Sequence, residues 1–182
     1  PGTTGLPTGV VSTHRSTWLH SFAGLTSGVF GLAESDRGLP VVPMFHANAW
    51  GIPYAAFLAG CSLVMPGPDL SPRALIALLE SERVTVTAGV PTIWMGILPL
   101  AEGPDLSGLG RFICGGSAVP KSLSEAWAPA IGRRTTQAWG MPETPPIPPV
   151  GSVRSEFGDR ARAQQPVVRR TPTVDVLAAF DG

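Results

Sequence analysis

Charge is scarce in this sequence: 14% of the residues are Asp, Glu, Lys or Arg, against about a quarter in an ordinary globular domain. What charge there is cancels, 13 basic residues against 13 acidic ones. No net field therefore draws the chain toward nucleic acid or an acidic membrane, and a small-molecule partner fits better. Cysteine is nearly absent. Cys61 and Cys114 lie far apart and form no CxxC pair, which argues against a disulfide framework or a zinc site and makes a reducing cytoplasm the expected setting. The opening at Pro1 and Gly2 has no initiator methionine, basic segment or apolar leader, so nothing resembles a secretory signal. An uncharged run, Val84–Ala101, is interrupted by Thr85, Thr87, Gly89, Pro91, Thr92 and Pro99. It reads as a buried strand followed by a helix, and no transmembrane segment is expected. There is no repeat, heptad run or charge block.

Apolar residues and proline are plentiful. The apolar share is 43%, and a chain of this size can bury about two-thirds of its unfolded surface, enough for a real core. Short apolar runs alternate with helical patterns: Gly9–Val11 before a helical stretch over Ser16–Leu32, and Leu39–Val42 before Gly51–Ala59. Gly60 suits a helix C-terminus, Ser62–Met65 a strand, and Ser71 with Pro72 the cap and first position of another helix. Val84–Val90 is rich in β-branched residues and Pro91 opens the next helix; Arg111–Cys114 and Thr135–Trp139 are two further strands around a helix starting at Lys121. Strands alternating with helices predict an α/β fold with largely parallel sheets flanked by helices. After Gly140 the pattern weakens, because Pro142, Pro145, Pro146, Pro148 and Pro149 forbid a helix interior or central strand. Residues 1–151 are therefore expected as a core segment. Residues 152–182 are expected as an irregular connection ending in a strand, Val174–Phe180, cut off at the hairpin signal Asp181-Gly182.

The segment from Gly2 to Gly9, GTTGLPTG, has what a phosphate loop needs: glycines that let backbone N–H groups converge on an anion, and threonine hydroxyls that can donate. Taken by itself such a loop is more often an ordinary turn. Followed by Val10-Val11 and His14-Arg15, however, it resembles the phosphate-loop signature of the adenylate-forming (AMP-binding) acyl-activating superfamily. Three further blocks follow in family order. Pro43-Met44-Phe45-His46-Ala47-Asn48-Ala49-Trp50 resembles the acyl-site loop of fatty acyl-CoA synthetases. Gly115-Gly116-Ser117-Ala118-Val119-Pro120 resembles the adenine-contacting turn. Gln137-Ala138-Trp139-Gly140-Met141 with Glu143 and Thr144 resembles the aromatic-Gly-x-Thr-Glu block. The resemblance covers about residues 1–151, and more loosely Val174–Gly182, and implies an incomplete part of the enzymes' N-terminal region.

It also implies ATP, Mg2+ and coenzyme A as cofactors and co-substrates, with a fatty acid of medium or long chain activated to acyl-AMP and then passed to the thiol. Carried over by residue, Thr3, Thr4 and Gly5 would hold the phosphates, and Gly116, Ser117 and Ala118 would line the adenine. Trp139 would pack against the adenine beside Gly140 and Thr144. Glu143 would bind magnesium, a metal that takes one or two carboxylates and fills its shell with phosphate and water. His46, Trp50 and Gly115 would border the acyl group, with Phe45 and Tyr54 as apolar walls; His14 and His20 receive no chemical role. The chain departs from the family on the phosphate side, with Pro1 for serine, Thr8 for lysine and Pro142 for threonine. Losing the lysine removes a charge-assisted contact of about 1.5 to 3 kcal/mol. The ribose aspartate and lid lysine of the family have no counterpart, so a complete catalytic cycle is not expected of these residues alone. Two alternatives follow: a degenerate remnant that binds nucleotide or lipid without turnover, and a fragment of an amino-acid adenylation domain. The loop around His46 speaks against the second.

Overall fold

The computed structural model describes residues 5–7, 9–26, 29–132 and 135–142. Five parallel strands form one sheet in the order β2-β1-β3-β4-β5. They are β1 (Arg37–Pro40), β2 (Ser62–Leu63), β3 (Val86–Gly89), β4 (Arg111–Gly115) and β5 (Thr136–Ala138). The chain leaves β1 toward β2 on one side and returns to β3 on the other, so the order reverses between β1 and β3. The register runs Gly38 to Val86, Val86 to Arg111 and Ile113 to Thr136. Pro40 sits in an inner strand, where a missing N–H is normally costly. It escapes the cost because β2 pairs only with Arg37 and Gly38, while Val41 N–H resumes the ladder by donating to Ala88 O at 2.8 Å.

Side chains alternate between the two faces of the sheet. Val86, Ala88 and Ile113 pack with Ala23, Ile52, Ala55 and Ala56 of α1 (His14–Gly24) and α3 (Ile52–Ala59). Leu39, Val41, Phe112 and Cys114 face the other layer, α4 (Pro72–Ser81), α5 (Pro91–Ile97) and α6 (Lys121–Ile131). The second layer is closed by aromatic packing: Phe112 lies between Trp94 at 4.5 Å and Trp127 at 4.8 Å. Trp127 Nε1–H donates to Trp94 O at 3.3 Å. In α6, Leu123, Trp127 and Ile131 recur every four residues and form the buried stripe.

Local sequence explains most boundaries. The Ser71 hydroxyl accepts from Ala74 N–H, Pro72 occupies the first turn of α4, and Gly60 ends α3 with φ +74°. The α1 helix differs from the expected Ser16–Leu32. Thr13 caps it and Ser16 reciprocates at the third position, which moves the start forward to His14. It stops at Gly24, where Thr26 N–H and its hydroxyl both turn back to Ala23 O. The expected strand Gly9–Val11 does not form: those residues are irregular and exposed, and no strand among the described residues pairs with them. The predicted strand Val174–Phe180 and its turn lie outside the described residues. Among the described residues no helix is long and apolar enough to cross a membrane.

Between β1 and α3 the backbone does something the sequence pattern does not announce. The single turn α2 (Ala47–Trp50) is wound left-handed, with φ of +47°, +53°, +52° and +55°, and Gly51 follows at +69°. Left-handed winding costs roughly 1 to 2 kcal/mol per non-glycine residue, so four in succession require strong local support.

Candidate functional site at the carboxyl ends of the strands

In an open parallel sheet, ligands bind in the crevice beyond the carboxyl ends of the strands, near the point where strand order reverses. Here β1 runs out into Val42–Trp50, β4 into Gly116–Pro120 and β5 into Trp139–Pro142. Three of the four motif blocks therefore converge at the same end of the sheet, from segments separated by some ninety residues of chain.

Two clefts open there. One, of about 190 Å³, is lined by His46, Ala47 and Trp50 on one side and by Gly116, Ala138, Trp139, Gly140, Met141 and Pro142 on the other. The second, of about 360 Å³, runs between α1 and the β1 exit loop, where Ser12, Ser16, Thr17 and His20 face Phe45, Asn48, Gly51 and Tyr54. His46, Ala47 and Pro142 border both clefts. Neither lining contains an Asp, Glu, Lys or Arg among the described residues.

Glycine geometry makes this end possible. Gly115 ends β4 so close to β5 that a Cβ would run into the Ala138 carbonyl. Gly116 follows at φ +81°, and a Cβ there would stand 3.1 Å from Val90 and 3.4 Å from the Trp50 ring. The glycine pair thus lets the Trp50 indole lie against the end of β4, which links the β1 exit loop to the turn after β4.

Of the residues expected to form a site, the structure brings His46, Trp50, Gly116, Trp139, Gly140 and Pro142 together around the smaller cleft, with Gly115 directly behind Gly116. Phe45 and Tyr54 line the larger one. Ser117 and Ala118 are exposed and outside both clefts, and so is Gly5. Thr3, Thr4, Thr8, Glu143 and Thr144 lie outside the described residues.

One residue was missed. His20 is 1% exposed and its Nε2–H donates to the Trp50 carbonyl at 2.9 Å. Because a carbonyl can only accept, the proton is on Nε2, and Nδ1 is left buried with no hydrogen-bond partner among the described residues. Burial lowers the imidazole pKa below 6.5, against a smaller opposing effect of the bond to Trp50. The sequence carries no clear signal for it, because α1 has no marked apolar stripe and the partner carbonyl lies 30 residues further along the chain.

The cysteines play no part at this end. The Cys114 thiol is pushed up to about 12 by burial, and burial and the nearby Asp36 raise Cys61. Neither is poised as a thiolate nucleophile.

Residues 2–176 match the family model for AMP-binding enzymes. The chain is 48% identical over 148 residues to the 3-methylmercaptopropionyl-CoA ligase of Ruegeria pomeroyi, covering 80% of this chain and 28% of that protein. It is 47% identical over 158 residues to the long-chain-fatty-acid–CoA ligase of Thermus thermophilus, covering 86% and 29%. The inhibitor-bound N-terminal domain of FACL13 from Mycobacterium tuberculosis superposes with a TM-score of 0.72 at 25% identity, covering 88% of this chain and 39% of that one. The chain thus spans somewhat over a quarter of the length of these curated relatives.

Proposed function

This chain belongs to the AMP-binding enzyme family, and on that premise we propose that it supplies acyl- and adenylate-facing walls of an ATP-dependent acyl-CoA ligase acting on a medium- or long-chain fatty acid. In that reaction a carboxylate oxygen attacks the α-phosphorus of ATP and pyrophosphate leaves, giving acyl-AMP. The coenzyme A thiol then attacks the acyl carbon and AMP leaves.

The observation that carries the reading is the smaller cleft, where His46 and Trp50 stand across from Gly116, Trp139 and Gly140 with no charged side chain among the described residues that line it. An amino acid would need an acidic partner for its ammonium group, and burying such a charge unpaired is costly. A fatty acyl chain needs only apolar walls, which Phe45, Trp50 and Tyr54 supply. Trp139 offers a ring face to the adenine, while Gly115 and Gly116 keep the backbone close. Ser117 and Ala118, exposed at the rim, would meet the nucleotide from outside. Thr3, Thr4 and Gly5 are assigned to the phosphates, Glu143 to magnesium, which would neutralise phosphate charge, and Thr144 to the nucleotide side.

One observation favours a second reading, binding without turnover. Pro142 borders both clefts, and it lacks both the hydroxyl and the N–H of the threonine that the resemblance puts there. With Thr8 in place of lysine, the phosphate side departs from the family pattern where the acyl side keeps to it.

A thermal-shift panel of fatty acids, amino acids and their non-hydrolysable acyl-adenylate analogues tests the proposal. Stabilisation by the fatty acyl series is expected. Stabilisation by amino acid analogues alone would refute it.

A further inference from the structure

The left-handed turn α2 needs an explanation that its own sequence does not provide. Ala47, Ala49 and Trp50 have no preference for positive φ, and only Asn48 and the following Gly51 tolerate it readily. Backbone bonds from Ala49 N–H to His46 O at 3.1 Å and from Gly51 N–H to Asn48 O at 3.0 Å close the turn. They are local and would accompany either hand. The contacts that distinguish the hands come from outside. Ala49 is fully buried. The last carbonyl of the turn, Trp50 O, receives the Nε2–H of His20 from a different helix. Immediately beyond it, Gly51 presents only hydrogen to the imidazole, because a Cβ there would run into the Nε2 and Cδ2 atoms of the ring.

We infer that His20 is a positioning residue for the acyl-side wall: its Nε2–H bond to Trp50 O and its seat against Gly51 hold the left-handed turn that sets where His46 and Trp50 stand. Without that anchor the turn has little reason to keep four strained residues, and its relaxation would rotate Trp50 away from Gly116. Among the described residues Nδ1 has no partner, which fits a ring placed for one bond. The consequence for ligand binding rests on the proposed acyl-adenylate reading; the structural consequence does not.

The two are separated by following Trp50 directly. The chain labelled with 5-fluorotryptophan has five indole signals, and a Trp50→Phe variant assigns the relevant one. His20→Leu removes the donor, whereas His20→Gln places an amide N–H near the Nε2 position. The expected result is that the Trp50 fluorine signal moves in His20→Leu while those of Trp94 and Trp127 stay, and that His20→Gln restores it. Affinity for a non-hydrolysable dodecanoyl-adenylate analogue should fall about tenfold in His20→Leu, the scale of one lost hydrogen bond, and recover in His20→Gln. An unmoved Trp50 signal in His20→Leu overturns the inference. A moved and rescued signal with no analogue binding in any variant upholds it and sinks the fatty acyl reading instead. Should His20→Leu not fold, the nitrogen shifts of the His20 ring in the unaltered chain decide: a proton on Nε2 supports the anchor, and a proton on Nδ1 overturns it.

Discussion

The two ends of the sheet are built from different materials. At the amino ends of the strands charge is concentrated and paired. Asp36, 7% exposed, makes an ion pair with Arg111 and accepts from Ala33 N–H at 2.8 Å and the Thr85 hydroxyl at 2.7 Å. Arg37 ties the start of β1 to Glu82 O at 3.2 Å. At the carboxyl ends the described lining residues are neutral, rich in glycine and aromatic rings, and include the strained turn that His20 supports. One end spends its polar groups on holding strands in register. The other leaves backbone and ring faces open around a cleft. Stability and ligand recognition are therefore expected to separate along the strand direction.

The largest test of that separation is Asp36→Ala. Removing a buried carboxylate takes the acceptor away from the Ala33 N–H, the Thr85 hydroxyl and Arg111 and should cost about 2 to 3 kcal/mol, discounted because the Arg111 side chain is partly exposed. Denaturant unfolding would measure the loss. Affinity of the folded variant for an acyl-adenylate analogue should be unchanged, and a parallel loss of affinity would break the comparison.

A smaller effect of the opposite kind is expected from Gly116→Ala. The new methyl would press on Val90 and the Trp50 ring at a positive φ, costing about 1 to 2 kcal/mol of stability. Here analogue binding should weaken by about tenfold or more, because the methyl enters the cleft wall. Comparing the ratio of affinity loss to stability loss in the two variants sharpens the contrast beyond either measurement alone.

Smallest is the pH dependence. The His20 pKa is lowered in the folded chain, so below about pH 6.5 the unfolded chain takes up a proton that the folded chain resists. The stability contribution is fully present above the unfolded value and is lost as pH falls through the folded one. Unfolding free energies at falling pH should therefore drop more steeply for the unaltered chain than for His20→Gln. His46 and Tyr54, the other titratable groups lining that cleft, are common to both and cancel.

Much of this was legible in the chain itself. Ser71-Pro72, Gly60 and Pro91 mark helix ends by local chemistry that tertiary structure has no reason to override, and the structure puts boundaries at each. The β-branched run before Pro91 and the segment at Arg111 are strands for the same reason. The turn at Ala47–Trp50 was not legible, because its handedness is imposed by His20 from a helix some thirty residues earlier, and an Ala-Asn-Ala-Trp sequence carries no mark of positive φ. His20 was overlooked for the same reason: its meaning lies in a carbonyl it meets only after folding. The motif resemblance assigned Trp50 to the acyl group and Gly116 and Trp139 to the adenine; that the three border one cleft, and that Trp50 lies against Gly116, is seen only in the structure.

The most direct test of the carboxyl-end assignment is photo-crosslinking with a fatty acyl-adenylate analogue carrying a diazirine on the acyl chain, followed by peptide mapping. The account predicts adducts within residues 45–54 and 138–142, competed away by the unlabelled analogue and diminished in Gly116→Ala. Competable adducts at the amino end, around Asp36, Thr85 or Arg111, would contradict it.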